Sequence, residues 1–206
     1  MPYAQIDEFV YVELSRLDEK VMPWVPGVPA PLYNLAREEI LREFCRRSGA
    51  LIGQLPGLTI FAGQSKYSLE GVAELMDVLT LKRLYFAENG TPINEAAYLM
   101  DADRRSFTLQ ASWDTSYETD VLIPLVSLTS CPGATLLETA FFDRWSDGIA
   151  AGVVAYLQKI PKKQWTDLPS SMLFQEKYES AVANAKIAVS RTFNKYAMRT
   201  PYNTFT

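Results

Sequence analysis

The residue types present limit the chemistry that this chain can perform. The 206-residue sequence contains no histidine, so it lacks the usual general base, the usual partner of a Ser or Cys nucleophile and a common zinc ligand. Its two cysteines, Cys45 and Cys131, are too few for a disulfide scaffold or a cysteine metal site. Catalysis would therefore depend on carboxylates, Lys, Tyr or a cofactor.

Two pairs of carboxylates are candidates for a cation site or an acid/base couple. They are Asp101 with Asp103, and Asp143 with Asp147 at helical spacing. The first pair lacks the ligand spacing of a calcium loop and precedes two arginines, and the second has Arg144 beside it. We interpret both as solvated surface. Because no phosphate-binding glycine motif is present either, the sequence predicts no catalytic residue, no cofactor and no metal.

A band of small residues points to close helix packing. Gly148 and Gly152 lie one helical turn apart, and small residues at this spacing let another backbone approach. The partner is either another helix of the same chain or a second copy, so both glycines are candidate interface residues. Cys45 adjoins the apolar stripe of its helix and is interpreted as a core residue, since no histidine can activate its thiol.

The composition indicates a globular protein that is not suited to binding the phosphates of nucleic acids. Hydrophobic residues make up 48% of the chain and charged residues 21%, with 20 Lys and Arg against 24 Asp and Glu, for a net charge of −4. Sequence-specific DNA binding is therefore not expected. The N-terminus shows no signal peptide, and no membrane span is expected because prolines interrupt the most apolar stretch, residues 121–137.

Periodicity and turn signals divide the chain into four parts. Helices are predicted over Ile6–Val21 and, after a proline-rich segment, over a stripe from Tyr33 to Phe44 that ends at Ser48-Gly49. Residues 50–130 contain short β-prone runs and the Asn89-Gly90 turn. The Thr135-Leu136-Leu137-Glu138 capping box predicts a helix from Thr135 to Lys159. A last helix is predicted from Asp167 through Tyr196.

The predicted fold class is α+β, with the helices of residues 1–49 and 131–198 forming a bundle and residues 50–130 forming a small antiparallel β insert. Residues 199–206 are predicted to be an extended tail because Pro201 ends the last helix. Arg199, Tyr202 and Phe205 suit a contact with a neighbouring protein, although the two aromatics could instead cover the chain's own helices.

Several short motifs resemble the head-to-tail adaptor (connector) proteins of tailed bacteriophages in order and spacing. The resemblance covers roughly residues 8–60 and 119–195, and between these regions only the short strands around the Asn-Gly turn agree. The motifs are Pro26–Pro29, Leu35–Arg37 leading to Glu43–Arg46, Ile123–Thr129, Asp147–Gly152, and Trp165–Asp167 followed by Tyr178.

The resemblance implies a non-enzymatic virion protein made in the host cytoplasm. Members of this family form a ring, commonly of twelve copies, in the neck of the virion below the portal. The ring extends the DNA channel and provides the attachment platform for tail, nozzle or stopper proteins. Duplex DNA would pass through without sequence-specific binding, which the acidic balance fits. Arg199, Tyr202, Phe205, Gly148 and Gly152 are then candidate contacts to the portal or to neighbouring subunits.

Two alternatives stay open at the level of sequence. The first is another neck or tail protein of similar shape, such as a stopper or a tail-tube closing protein. The second is a histidine-free enzyme that uses carboxylates, which would need a deep pocket with convergent polar groups.

Overall fold

The computed structural model of the protein describes residues 8–61, 63–69, 76–88, 90–102, 106–110 and 121–194. Within these residues the fold is α+β, with four α-helices and three antiparallel sheets. The helices are α1 (Asp18–Val21), α2 (Ala30–Ser48), α3 (Thr139–Gln158) and α4 (Leu168–Asn194). The strands are β1 (Tyr11–Glu13), β2 (Ile52–Gln54), β3 (Leu58–Thr59), β4 (Lys66–Ser68), β5 (Met76–Phe86), β6 (Tyr98–Met100), β7 (Ser106–Leu109), β8 (Val121–Ser130) and β9 (Leu136–Glu138).

Strand β8 organises the main sheet. β5 pairs with it antiparallel along nearly its whole length, from Met76 opposite Ser130 to Phe86 opposite Leu122. β2 and β3 pair with two different parts of β8, and because β5 already covers those residues, they must lie on the other edge. The smaller sheets are the pair β1–β9 and the three-stranded sheet β4–β7–β6.

The predicted helical bundle with a small β insert is wrong. β5 and β8 are 11 and 10 residues long, and β1 and β9 lie outside residues 50–130. The sheet and the helices also share one continuous hydrophobic core. β8 is longer than the short β-prone runs predicted for residues 50–130, because it continues through Pro124 to Ser130, and residues 124–130 are all buried although three of them are Ser or Thr.

Two predicted helix starts are wrong for a common reason. Of Ile6–Val21, the described part forms β1, a 3₁₀ turn and only four residues of α-helix. The helix predicted from Thr135 begins at Thr139, because Leu136–Glu138 pairs with β1 as strand β9. Glu138 caps α3 in place of Thr135, and its carboxylate accepts hydrogen bonds from the N–H groups of Ala140 (2.8 Å) and Phe141. Pairing between distant segments therefore overrode both local patterns.

The predicted helix between Tyr33 and Phe44 is confirmed as α2. Gly49 ends it in the left-handed conformation, with φ of 61°, and donates its N–H to the carbonyl of Cys45. Phe44 lies in the core between the helices, with its ring 5.9 Å from Phe141 of α3 and 6.2 Å from Tyr178 of α4. In the described residues no helix is long and apolar enough to cross a membrane.

Candidate functional site

Gly148 and Gly152 lie where α3 crosses α4 of the same chain. A Cβ built on Gly148 would be 2.3 Å from Cβ of Ala181. A Cβ on Gly152 would be 2.6 Å from Cδ2 of Tyr178 and 2.7 Å from Cγ2 of Ile40. The structure thus places both predicted interface glycines in packing within the chain. The other predicted interface residues, Arg199, Tyr202 and Phe205, lie outside the described residues.

The candidate carboxylates take part in separate surface ion pairs. Asp101 contacts the Lys66 ammonium at 2.8 Å and accepts hydrogen bonds from the hydroxyls of Ser106 (2.9 Å) and Thr108 (3.0 Å). These donors, Lys66 above all, hold the pKa of Asp101 below its usual value, which disfavours a role as a general base near neutral pH. Asp103 is outside the described residues.

Of the helical pair, Asp147 is also engaged at the surface. Asp147 forms an ion pair with Lys20 at 2.6 Å, and its carboxylate is 92% exposed. Lys20 also donates to the Ser146 hydroxyl at 2.8 Å, so these contacts tie α1 to α3 at the surface. Over the part of the chain that the structure describes, no group of three or more Asp, Glu and Cys side chains is arranged to hold a metal ion.

An open polar groove lies between the end of α2 and the main sheet. Its volume is about 650 Å³, and its charged lining residues are Arg46, Arg47, Lys82 and Asp101. Burial lowers the pKa of the Lys82 ammonium. Lys82 and Asp101 are the kind of groups that the histidine-free enzyme would need, but three donors already engage Asp101. Lys82 was not predicted as a candidate, because in the sequence it is one charged residue within the β-prone run that forms β5.

Four large apolar side chains are exposed on the first two turns of α4 and on the turn before α2. They are Trp24, Leu168, Met172 and Leu173, which are 53%, 57%, 68% and 63% exposed. The Trp24 ring packs edge-on against Phe174 with centroids 4.9 Å apart, which joins the turn before α2 to α4. We call these four residues the α4 apolar surface. Exposed apolar patches of this kind mark sites of protein–protein contact.

The sequence offered one signal for this surface. Met172 and Leu173 are apolar but lie outside the buried stripe of α4, which contains Phe174, Tyr178 and Val182. Trp24 could not be joined to them from sequence, because 150 positions separate it from Phe174.

The chain matches no protein-family model, and it matches none of the curated proteins.

Proposed function

We propose that this protein is a structural virion protein, the head-to-tail adaptor of a tailed bacteriophage. In this proposal about twelve copies form a ring in the virion neck, below the portal. The ring extends the DNA channel and holds the tail, through nozzle or stopper proteins. The role is not enzymatic, and duplex DNA passes through the ring without sequence-specific binding.

The α4 apolar surface is the observation that carries this proposal. A chain that worked alone would leave four large apolar side chains more than half exposed without benefit, whereas a ring subunit needs contacts with neighbours. The surface also begins at Leu168, directly after the Trp165–Asp167 motif that resembles the adaptor family.

The motif residues of the C-terminal half hold α3 and α4 together, which supports the resemblance. Trp165 is 8% exposed and Tyr178 is 1% exposed. The Asp167 carboxylate accepts a hydrogen bond from the Ser170 N–H at 3.0 Å and so caps the start of α4. Gly152 packs directly on Tyr178. The motif residues therefore fix α3 against α4, and the helix pair presents one fixed outer surface.

The net charge supports passage of DNA rather than binding of DNA. A chain with a net charge of −4 gains little from the release of counterions when it meets a duplex. A channel component with a negative net charge lets DNA slide past.

The proposal is tested by assembly on the portal protein encoded in the same genome. We expect the chain to add to the portal as a ring of many copies, counted by mass photometry and seen by cryo-electron microscopy. The variant Met172→Asp/Leu173→Asp should reduce ring formation, whereas Ser180→Asp, also on an exposed position of α4, should not. One copy or a simple dimer on the particle would contradict the proposal, and binding only to an assembled neck would indicate a stopper.

The tail supplies a second arm of the same test. Arg199, Tyr202 and Phe205 are proposed to contact the portal, so removal of residues 199–206 should weaken portal binding. If the truncated chain binds the portal normally but unfolds at a much lower temperature, the tail belongs to the chain's own fold.

A further inference from the structure

The loop that joins α3 to α4 forms a positively charged corner on an acidic protein. Residues 159–177 contain four lysines, Lys159, Lys162, Lys163 and Lys177, against two acids, whereas the whole chain has a net charge of −4. Lys177 lies over the ring of Phe174, 5.1 Å from its centroid, and Trp24 of the α4 apolar surface packs against the same ring. We call the four lysines the basic corner.

Hydrogen bonds hold the backbone of this corner in one conformation. The Thr166 hydroxyl accepts a hydrogen bond from the Lys163 N–H at 2.9 Å and donates to the Ile160 carbonyl. Lys162 has φ of 59°, a left-handed conformation that non-glycine residues rarely adopt. Such a conformation persists where the surrounding structure enforces it, and it often accompanies a functional site. The lysines therefore project from a preorganised loop.

The opposite end of α3 is acidic. Residues 8–20 and 138–147 together contain seven acids and three basic residues, a net charge of −4. They lie together because β1 pairs with β9 and the Thr139 N–H donates to the Val10 carbonyl at 2.8 Å. Val10 is 70% exposed, so this end also presents an apolar side chain among its carboxylates. We call it the acidic end.

We propose that the basic corner and the α4 apolar surface of one copy dock on the acidic end of the next copy. This inference rests on the proposed ring and identifies the two surfaces that meet in it. α3 has 20 residues and is roughly 30 Å long, so carboxylates at its start, such as Glu138, cannot reach lysines at its end, such as Lys159, within one chain. The contact joins two different surfaces, and contacts of that type repeat from copy to copy and can close into a ring.

A second copy fits both surfaces better than DNA does. Phosphates would neutralise the lysines but would leave Trp24, Leu168, Met172 and Leu173 in water. The acidic end offers carboxylates for the lysines and the exposed side chain of Val10 for apolar contact.

Charge reversal tests the contact. Lys162→Glu/Lys163→Glu changes the net charge of residues 159–177 from +2 to −2, so both ends are then acidic. Glu13→Lys/Asp143→Lys changes the acidic end from −4 to 0 and leaves the lysines unchanged, so the attraction between the two ends is lost. Each variant alone should self-associate at least tenfold more weakly than the wild type. A mixture of the two should recover association in part, because the unchanged lysines of the second variant then meet the unchanged acidic end of the first. Lys186→Glu, which reverses an exposed charge elsewhere on α4, is the matched control and should behave as the wild type.

Association is measured by sedimentation velocity on concentrated protein at low salt without the portal, after thermal unfolding has shown that each variant is folded. Normal association of either variant, or a mixture that does not recover, would overturn the inference. The inference would also be overturned, in favour of a DNA contact, if the wild type bound duplex DNA without self-association and Lys162→Glu/Lys163→Glu abolished that binding. Assembly on the portal is measured separately. If the charge variants still form a ring on the portal, this contact is wrong but the proposed function stands.

Discussion

Replacement of Gly148 by Ala is expected to destabilise the protein, although Gly→Ala usually stabilises a helix. The new Cβ would lie 2.3 Å from Cβ of Ala181, so α3 and α4 must separate locally by about 1 Å to restore ordinary contact. Overpacking of this kind costs about 1–3 kcal/mol, and the gain in helix propensity offsets about 1 kcal/mol of it. Because Cβ of Ala181 is fixed to the α4 backbone and cannot rotate away, the cost should lie at the upper end of that range, about 2–3 kcal/mol, so we expect a net loss of about 1–2 kcal/mol in the free energy of unfolding.

A double-mutant cycle isolates the contact. Ala181→Gly removes the methyl group that the new side chain meets, so Gly148→Ala/Ala181→Gly should be clearly more stable than the sum of the single changes predicts. Gly152→Ala should also destabilise, because its Cβ would meet Tyr178 and Ile40 at 2.6 and 2.7 Å. Ala181→Gly should not rescue that variant, which makes it the matched control.

Urea denaturation followed by circular dichroism measures these free energies, and thermal unfolding checks them. A loss of 1 kcal/mol corresponds to a fall in Tm of about 2–4 °C for a protein of this size. If Gly148→Ala were neutral or stabilising, the glycine would not be packed against α4 in solution. The small-residue band would then be available to a second copy.

Three further changes test the local contacts. Glu138→Ala should cost about 1 kcal/mol of stability by removing the α3 cap, whereas Thr135→Ala should have little effect, as measured by urea denaturation. A larger loss for Thr135→Ala than for Glu138→Ala would instead favour the capping box predicted from sequence. Arg47→Met and Glu179→Gln should show a coupling of about 1 kcal/mol, because the guanidinium of Arg47 joins α2 to α4 through that carboxylate. Since Arg47 lowers the pKa of Glu179 in the folded protein, the coupling should be complete at neutral pH and disappear as the pH falls below about 4. Burial raises the pKa of the Cys45 thiol to about 12, so labelling by a thiol reagent at pH 8, followed by mass spectrometry, should modify Cys45 only after unfolding; fast labelling of native protein would show that this part of the core opens.

Helix α2 shows what could be predicted from sequence. Its buried residues recur every three or four positions, and Gly49 follows them with the conformational freedom that a helix end requires. Both signals are local, because the hydrogen bonds of a helix join residues four positions apart. The prolines of the segment that precedes α2 are likewise a local signal, because each one restricts its own backbone and that of the residue before it.

The β structure could not be predicted in the same way. Whether residues 11–13 form a helix or a strand depends on a partner more than 120 positions away, since Val12 pairs with Leu137. In β8 the alternation of Val126-Ser127-Leu128-Thr129 does not separate a buried face from an exposed face, because residues 124–130 are all buried. The interpretation of the sheet as a small insert followed from these missing long-range signals.

The candidate functional surfaces could also be predicted only in part. Residue types alone determined that histidine chemistry is impossible, that the chain is acidic and that Gly148 and Gly152 allow close helix packing. Only the tertiary structure decided that this packing is with α4, and that Trp24 packs against Phe174 and so lies beside the start of α4. The physical reason is that composition and helical spacing act over a few residues, whereas a surface is made by chain segments that meet only when the core closes.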